Sequence, residues 1–281
     1  MAKILNGKEI SEIGKGAIAM DREIYELKTK ENITLIIFQA GDNPASNVYI
    51  RNKQKACEKV GIKSRVEKAD NPRDLTVKIL SNIKLCDAMM LQLPLPEEFG
   101  DPQQYIDLIP PEKDADCLTT ENLGKLFLGT NMVAPCTADG IMALLYMNKI
   151  EIAGKHAVIV GRSNIVGKPL AHMLLAKDAT VTVCHSKTKN LADFTSSADI
   201  LVSAIGKPKF ITADMVKDDA IVVDVGINRT EDGEICGDVD FDTVKNKASW
   251  ITPVPGGVGP MTVTMLLQNT LNLTFMKNEE E

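Results

Sequence analysis

Apolar and polar residues alternate along this chain in blocks that predict β-strands and α-helices in turn. Short apolar runs of the kind found in buried parallel strands occupy residues 33–39, 88–93, 157–160, 200–205 and 221–225. Stretches with helical periodicity occupy residues 11–28, 46–60, 75–83, 138–147 and 169–176. This alternation predicts an α/β fold with largely parallel sheets.

The strands fall into two sets, which predict two domains. A proline-rich, irregular region over residues 94–111 follows the first set, and a predicted helix separates it from the second set near residues 137–151. In open α/β folds, ligands bind at the carboxyl ends of the parallel strands. We therefore expect a ligand site in the cleft between the two domains.

Composition and charge restrict the classes of function. The chain has 281 residues and a net charge of −6, and its lysines and arginines are scattered, so a nucleic-acid surface is not expected. Charged residues interrupt the first twenty positions, and we expect no membrane segment. Six cysteines without C-x-x-C spacing predict reduced thiols in a cytoplasmic protein and no metal site. A catalytic role for Cys117 or Cys136 stays open, although neither has an evident histidine partner.

The segment from His156 to Pro169 (HAVIVGRSNIVGKP) predicts a dinucleotide site. An apolar strand ends at Gly161, and the following helix has Pro169 in its first turn. A strand, a glycine turn and a helix N-terminus together form a cradle for a pyrophosphate. The glycine spacing differs from the usual G-x-G-x-x-G pattern, so an ordinary α/β turn is the alternative.

The end of the next strand favours NADP over NAD. An NAD site places an acidic residue about 20 residues after the glycine turn, to bind the ribose hydroxyls. Here the strand from Thr180 runs into Ser186-Lys-Thr-Lys189, and Arg162 follows the first glycine. Hydroxyl groups and cations suit a 2′-phosphate, which an acidic side chain would repel.

Lys53 lies on the apolar face of the helix predicted over residues 46–60. At about 100° per residue, it shares a stripe with Tyr49, Ala56 and Val60, whereas the charged residues nearby point away. An inward lysine is costly to bury unless it is paired or functional. The alternative is that its ammonium group extends to the edge of the core.

Three further features stand where sites usually form. Gln92 ends an apolar strand, where it either contributes to a site or caps the strand end. Asp116 lies in a charged loop, and spacing alone does not favour it over Asp114. The segment 253–262 (PVPGGVGPMT) opens the last predicted helix with three glycines, which permit close backbone approach to a ligand.

These motifs together resemble the bifunctional methylenetetrahydrofolate dehydrogenase/methenyltetrahydrofolate cyclohydrolase family. The resemblance covers nearly the whole chain and rests on six segments in order: 41–53 (GDNPASNVYIRNK), 92–96 (QLPLP), 113–116 (KDAD), 135–137 (PCT), 161–169 (GRSNIVGKP) and 253–262 (PVPGGVGPMT). It implies a folate-binding catalytic domain over residues 1–137 plus 261–281 and a Rossmann-like NADP-binding domain over residues 138–260. It also implies a homodimer that acts on tetrahydrofolate derivatives in one-carbon metabolism and purine biosynthesis.

The resemblance also implies roles for individual residues. Lys53, Gln92 and Asp116 match the catalytic positions, with Gln92 bonded to Lys53 and Asp116 binding the pterin. The folate-binding positions are Tyr49, Gln92, Leu93, Pro94, Asp116, Pro255, Gly256, Gly257 and Gly259. The NADP-contacting positions are Gly161, Arg162, Ser163, Ser186 and Ile227.

One departure from the family pattern concerns the hydrolytic step. Cys117 stands where the family usually has glycine, and a side chain there costs about 1 kcal/mol if the backbone needs a positive φ. The alternative to the bifunctional enzyme is therefore a dehydrogenase whose cyclohydrolase activity is weak or absent. A catalytically silent folate- or nucleotide-binding protein is a second alternative, but it would have no reason to keep an inward lysine. A shikimate-dehydrogenase-like enzyme would not need the 92–96 and 253–262 motifs.

Overall fold

Strands and helices alternate in the computed structural model, which describes residues 1–230 and 232–279. Over these residues the strands are β1 (Lys3–Ile4), β2 (Thr34–Ala40), β3 (Lys63–Ala69), β4 (Ala88–Leu91), β5 (His156–Val160), β6 (Thr180–Cys184), β7 (Ile200–Ser203), β8 (Ile221–Asp224), β9 (Asn228–Arg229), β10 (Ile235–Cys236) and β11 (Trp250–Ile251). The α-helices are α1 (Gly7–Thr29), α2 (Pro44–Val60), α3 (Pro72–Asn82), α4 (Gln103–Ile106), α5 (Thr120–Leu128), α6 (Cys136–Met147), α7 (Gly167–Leu175), α8 (Leu191–Thr195), α9 (Phe241–Val244) and α10 (Val258–Glu279). The predicted α/β class is confirmed.

The strands form two parallel sheets and one antiparallel hairpin. The larger sheet has the strand order β1-β11-β8-β7-β5-β6, and the smaller has the order β3-β2-β4. Every pairing within these two sheets is parallel, as their apolar strands predict. The antiparallel pair β9–β10 forms the hairpin that the polar turn after Arg229 indicates.

The chain divides into two compact units by its internal contacts. The six-stranded unit comprises Met1–Ser11 and Thr137–Thr262, and the three-stranded unit comprises Glu12–Cys136 and Val263–Glu281. The sequence prediction assigned residues 1–11 to the folate-binding domain. In the structure they accompany the six-stranded sheet because β1 pairs with β11. A strand of two residues produces no detectable hydrophobic pattern, and its partner is distant in sequence.

Both faces of the smaller sheet are covered. Alternate residues of β2 face two cores: Leu35 and Ile37 pack with residues of α2 and α10, whereas Ile36 and Phe38 pack with α3 and the segment around Phe99. A parallel strand that is buried on both faces has a continuous apolar sequence, as β2 does. The carboxyl ends of β2 and β4 are thereby held side by side.

The larger sheet has a topological switch point at β5. The chain proceeds from β5 to β6 on one side, and β7 then pairs with β5 on the other side. Nucleotides bind outside the carboxyl ends of the strands at such a point. Among the described residues, no helix has both the length and the apolar character needed to cross a membrane.

Candidate active site

Lys53 is buried and makes specific contacts. Its side chain extends from the inward face of α2, as predicted, and the residue is 7% exposed. The Nζ atom donates to Oε1 of Gln92 at 2.9 Å and contacts Sδ of Met90 at 3.3 Å. The ammonium group is therefore held inside the unit rather than extended to the edge of the core.

Gln92 is oriented by its own strand end. Its backbone amide continues the ladder by donating to Phe38 at 2.9 Å, and its side-chain Nε2 donates to the carbonyl of Leu93 at 2.7 Å. This second bond leaves Oε1 facing Lys53. The Leu93–Pro94 peptide bond that follows is cis. Gln92 thus does more than cap a strand, because its amide joins β4 to α2.

Tyr49 lies one turn before Lys53 at the surface of the same helix. The sequence pattern predicted an inward side chain, but Tyr49 is 37% exposed. The inward prediction is wrong in this respect, because Tyr49 and its neighbour Val48 are on an exposed side of α2, and residues 41–44 just before them are also exposed. The stripe therefore leads from buried Val60 and Lys53 outward to an accessible aromatic ring.

The structure distinguishes Asp114 from Asp116, which spacing could not do. Asp114 is 1% exposed and accepts hydrogen bonds from the amide of Thr119 at 2.8 Å and from Asn122 at 3.1 Å. Burial raises the pKa of its carboxyl group. Asp114 therefore shapes the loop, whereas Asp116 is half-buried and accessible to a ligand.

The environment of Cys136 shows which groups surround Asp116. Burial raises the pKa of the Cys136 thiol, and the charge of Asp116 and a hydrogen bond with it act in the same direction, while the charge of Lys53 acts against them. The Cys136 thiol also donates to the carbonyl of Ala115 at 3.2 Å. Asp116 and Lys53 are therefore neighbours of the same thiol.

Cys117 occupies a left-handed backbone position, with φ of 57°. This conformation costs a non-glycine residue about 1 kcal/mol. The loop nevertheless accommodates the side chain, because the thiol donates to the carbonyl of Val133 at 3.3 Å and the amide donates to Asp114 at 3.2 Å. The buried thiol thus tethers the loop of Asp116 to the segment before α6.

The predicted phosphate loop follows β5 in the six-stranded unit. Gly161 has φ of 129°, and a Cβ atom at this position would overlap the carbonyl oxygen of Ala204. Ser163 Oγ accepts hydrogen bonds from the amides of Val166 at 3.2 Å and Gly167 at 3.4 Å, which secures the start of α7. Arg162 is exposed beside it. Glycine is therefore required at position 161 for both conformation and space.

The other predicted cofactor residues follow neighbouring strands of the same sheet. Ser186 is exposed just after β6, which pairs with β5, and Ile227 follows β8 and is 46% exposed. Because all these strands are parallel, the residues lie at the same carboxyl edge.

Two buried carboxylates that the sequence analysis missed hold the segment around Ile227. The amide of Gly226 donates to Asp224 at 2.9 Å, and the side chain of Asn228 donates to Asp238 at 2.9 Å. Asp238 also accepts the amide of Ile205 at 2.8 Å, so it orders a second loop at this edge. An aspartate that directly follows an apolar strand was the available sequence signal for Asp224.

The glycine-rich segment 253–259 packs closely against its own unit. Gly256 accepts a hydrogen bond from the amide of Lys8 at 3.0 Å. A Cβ atom on Gly257 would lie 2.7 Å from the carbonyl oxygen of Pro253. A Cβ atom on Gly259 would meet Cδ1 of Ile227 at 3.7 Å. The segment therefore adjoins the Ile227 loop within the six-stranded unit.

The structure thus brings the site residues together in two groups. Lys53, Gln92 and Asp116 gather at the carboxyl edge of the three-stranded sheet, and the phosphate loop lies in the other unit. This combination defines a two-domain α/β enzyme with a nucleotide-binding sheet. The catalytic-domain model of tetrahydrofolate dehydrogenase/cyclohydrolase matches residues 5–116, and the NAD(P)-binding-domain model matches residues 135–278. The chain belongs to the tetrahydrofolate dehydrogenase/cyclohydrolase family.

Individual relatives are similar over essentially their whole length. The bifunctional protein FolD of Lactobacillus delbrueckii is 48% identical over an alignment of 281 positions, which covers 98% of this chain and 98% of that protein. The crystal structure of the bifunctional enzyme FolD from Campylobacter jejuni is 42% identical, with a TM-score of 0.95 over 99% of this chain and 100% of that one. The Trypanosoma brucei enzyme, solved with NADP cofactor and an inhibitor, is 34% identical, with a TM-score of 0.94 over 99% and 98% of the two chains.

These comparisons favour the bifunctional interpretation over the alternatives. The similar relatives are named as bifunctional proteins over nearly full coverage. The proposal that Cys117 weakens hydrolysis gains no support from them. In the structure the Cys117 thiol donates a hydrogen bond to the carbonyl of Val133, so the loop accommodates this side chain.

Proposed function

We propose that this chain oxidises 5,10-methylenetetrahydrofolate with NADP⁺ and hydrolyses the methenyl product to 10-formyltetrahydrofolate. The observation that carries the proposal is the buried Lys53–Gln92 hydrogen bond of 2.9 Å at the end of β4, beside the loop of Asp116. The family supports both activities, and the pair supplies the proton-handling group that hydrolysis needs.

The residues at the carboxyl edge of the larger sheet fit NADP. Gly161 keeps the turn after β5 free of a side chain, and the exposed Arg162 and Ser163 that follow it offer a cation and a hydroxyl group to a phosphate. Arg162, Ser163 and Ser186 would hold the phosphates, and Ile227 would pack against the nicotinamide. NADP, when bound, supplies the hydride acceptor.

The oxidation step requires little acid–base chemistry from the protein. The nitrogen atoms beside the methylene carbon stabilise the cation that forms when hydride leaves, so no side chain must remove a proton. The main requirement is orientation of the folate. We propose that Tyr49 stacks on the aminobenzoate ring and that Asp116 binds the pterin. Further contacts come from Leu93, Pro94, Pro255, Gly256, Gly257 and Gly259.

Hydrolysis requires proton transfer. Water adds to the methenyl carbon, a proton leaves the oxygen, and the C–N bond opens as its nitrogen gains a proton. Lys53 is the group placed to manage these protons. Gln92 holds the amine through an amide oxygen rather than a carboxylate, so the amine is oriented without a permanent ion pair.

The test compares Lys53→Met with Lys55→Met in two separate assays. Lys55 lies on the same helix but is exposed, and it therefore controls for loss of a lysine from α2. We expect Lys53→Met to abolish hydrolysis of added methenyltetrahydrofolate while some NADP⁺ reduction remains, and Lys55→Met to resemble the parent. Parent-like hydrolysis by Lys53→Met would contradict the proposed role.

Assembly and location are proposed from the family alone. We propose a cytoplasmic homodimer, as the resemblance implies. Sedimentation equilibrium would give a mass of about 61 kDa for a dimer, twice the 30.6 kDa of the chain. A single species of monomer mass would contradict the dimer, and recovery in a membrane or secreted fraction would contradict the location.

A further inference from the structure

Asn269 of α10 is a buried polar residue whose bonds leave its own helix. It is 2% exposed, and its Nδ2 atom donates to the carbonyl of Ala115 at 2.9 Å and to the carbonyl of Ala134 at 2.9 Å. The same atom lies 3.5 Å from Sγ of Cys136. A side-chain amide has two N–H donors, and these two carbonyl groups accept both.

The two carbonyl groups belong to the segments on either side of Asp116. Ala115 is its immediate neighbour, and Ala134 stands two residues before Cys136, whose thiol interacts with the Asp116 carboxylate. The Cys136 thiol also donates to Ala115 at 3.2 Å. One amide therefore joins three segments of the three-stranded unit: α10, the loop of Asp116 and the segment that leads into α6.

Packing alone does not explain an asparagine at this position. The neighbouring Leu266, Leu267 and Leu271 are fully or almost fully buried in the core between α10 and β2. A buried amide is costly unless its hydrogen bonds are made, and a leucine would fill similar space at no such cost. The bonds of Asn269 to the two segments compensate for its burial.

We propose that Asn269 is a positioning residue for folate binding, which sets the place of Asp116 through Ala115 and Cys136. This inference rests on the proposed function, in which Asp116 binds the pterin. It predicts that loss of the amide weakens the use of folate selectively, because the proposed cofactor residues belong to the six-stranded unit, whereas Asn269 and its bonds belong to the three-stranded unit.

Thr270, the next residue, provides a matched control. It is fully buried on the same helix, but its hydroxyl group donates to Leu266 of that helix at 2.8 Å. Thr270→Val thus removes a buried hydrogen bond from α10 without touching the loop of Asp116. Any general effect of weakening the helix appears in both variants.

The experiment measures both Michaelis constants of the dehydrogenase for Asn269→Leu, Asn269→Ser and Thr270→Val. We expect the KM for 5,10-methylenetetrahydrofolate to rise about tenfold to a hundredfold in Asn269→Leu, because small displacements of a binding group have effects of that size. The KM for NADP⁺ should stay at the parent value. Asn269→Ser keeps one donor, so its KM for 5,10-methylenetetrahydrofolate should lie between those of the parent and Asn269→Leu. This variant replaces Asn269→Leu if the leucine variant does not fold. Thr270→Val should match the parent.

A double variant tests the route of the effect. If Asn269 acts through Asp116, then Asn269→Ser should raise the folate KM no further in an Asp116→Ala background. A parent-like folate KM in folded Asn269→Ser, an equal rise in both Michaelis constants, or additive effects with Asp116→Ala would each overturn the inference. Absence of turnover in the unaltered chain would instead overturn the proposed function, and this inference with it.

Discussion

Lys53 donates a hydrogen bond to Gln92 across 2.9 Å, from the middle of α2 to the end of β4, and both side chains are at most 9% exposed. A buried lysine normally requires a carboxylate or a strong acceptor. Here the acceptor is a neutral amide, itself held by the carbonyl of Leu93. The arrangement fixes the position of the Lys53 amine at the end of β4.

This relationship predicts different effects for two substitutions of Gln92. Gln92→Leu removes the acceptor and should cost about 1.5–3 kcal/mol of unfolding free energy, the range for a hydrogen bond to a charged group. Gln92→Glu keeps an acceptor and should retain most of that stability. Both should lose most of the cyclohydrolase activity, because one leaves Lys53 without orientation and the other binds it in an ion pair. Denaturant unfolding and hydrolysis of methenyltetrahydrofolate measure the two effects. Full hydrolysis in Gln92→Glu would contradict the need for a neutral partner.

A negative charge at Ser186 should change the choice of cofactor. Ser186→Asp places a carboxylate where the 2′-phosphate is expected, so the KM for NADP⁺ should rise about tenfold or more while the KM for NAD⁺ changes little. Ser196→Asp is the control, since Ser196 is also exposed but lies before β7, at the opposite edge of the sheet. Equal effects of the two substitutions on NADP⁺ would show that Ser186 is remote from the cofactor.

Two glycine-to-alanine substitutions should change stability in opposite directions. At Gly161 the new methyl group would overlap Ala204 and the backbone has φ of 129°, so Gly161→Ala should destabilise the protein by about 1–3 kcal/mol and weaken NADP⁺ binding. At Gly124, in α5, an added Cβ atom would have no neighbour within 4 Å. Gly124→Ala should therefore stabilise by about 0.5–1 kcal/mol. Thermal unfolding of the two variants checks the signs, and a stable Gly161→Ala would refute the close packing of this loop.

The buried carboxylate of Asp224 predicts a pH dependence of stability. Burial, together with the nearby charge of Asp238, raises the pKa of Asp224 to about 7, although backbone amides act against the rise. The folded state therefore holds the proton more tightly than the unfolded state. The resulting stabilisation is complete below about pH 4 and is lost as the pH rises through about 7.

The raised pKa of Asp224 gives the expected size of the change in unfolding free energy. Between pH 5 and pH 8 the contribution of Asp224 should fall by about 3 kcal/mol, at about 1.4 kcal/mol per pH unit over roughly two units. Urea unfolding at both pH values measures it, and Asp224→Asn removes the titrating group while other groups remain. If Asp224→Asn has the same pH dependence of unfolding free energy as the parent, a group other than Asp224 causes that dependence.

The elements with strong local patterns could be predicted from the sequence. The α2 helix was predicted over residues 46–60 and spans Pro44–Val60, and β2 was predicted over 33–39 and spans Thr34–Ala40. The α2 helix has a clear helical periodicity and β2 is a continuous apolar run, so the burial of these residues decides their structure. The α5 helix was not predicted, although Thr119 caps its start by accepting from Asn122 and Gly129 ends it with φ of 70°. Those capping residues were the signal.

A site residue could be predicted from the sequence where its position on one face of a single helix was enough to identify it. Lys53 could be found because a charged residue interrupts the apolar stripe of α2, and this inward position is confirmed. The role of Asn269 depends on carbonyl groups that are distant in sequence, so no local pattern reveals it. Asp114 bonds to Thr119 and Asn122 nearby in the chain, but spacing alone did not distinguish it from Asp116. In Asn269, the hint was a polar side chain within an apolar run of the last helix.

The most direct test of both activities mixes the purified chain with 5,10-methylenetetrahydrofolate and NADP⁺ and follows reduced cofactor and methenyltetrahydrofolate as separate signals. We expect reduced cofactor to accumulate while the methenyl species stays low and 10-formyltetrahydrofolate appears. Accumulation of methenyl product in step with reduced cofactor, beyond its spontaneous hydrolysis, would contradict the hydrolytic role of Lys53 and Gln92. Absence of reduced cofactor would contradict the dehydrogenase itself.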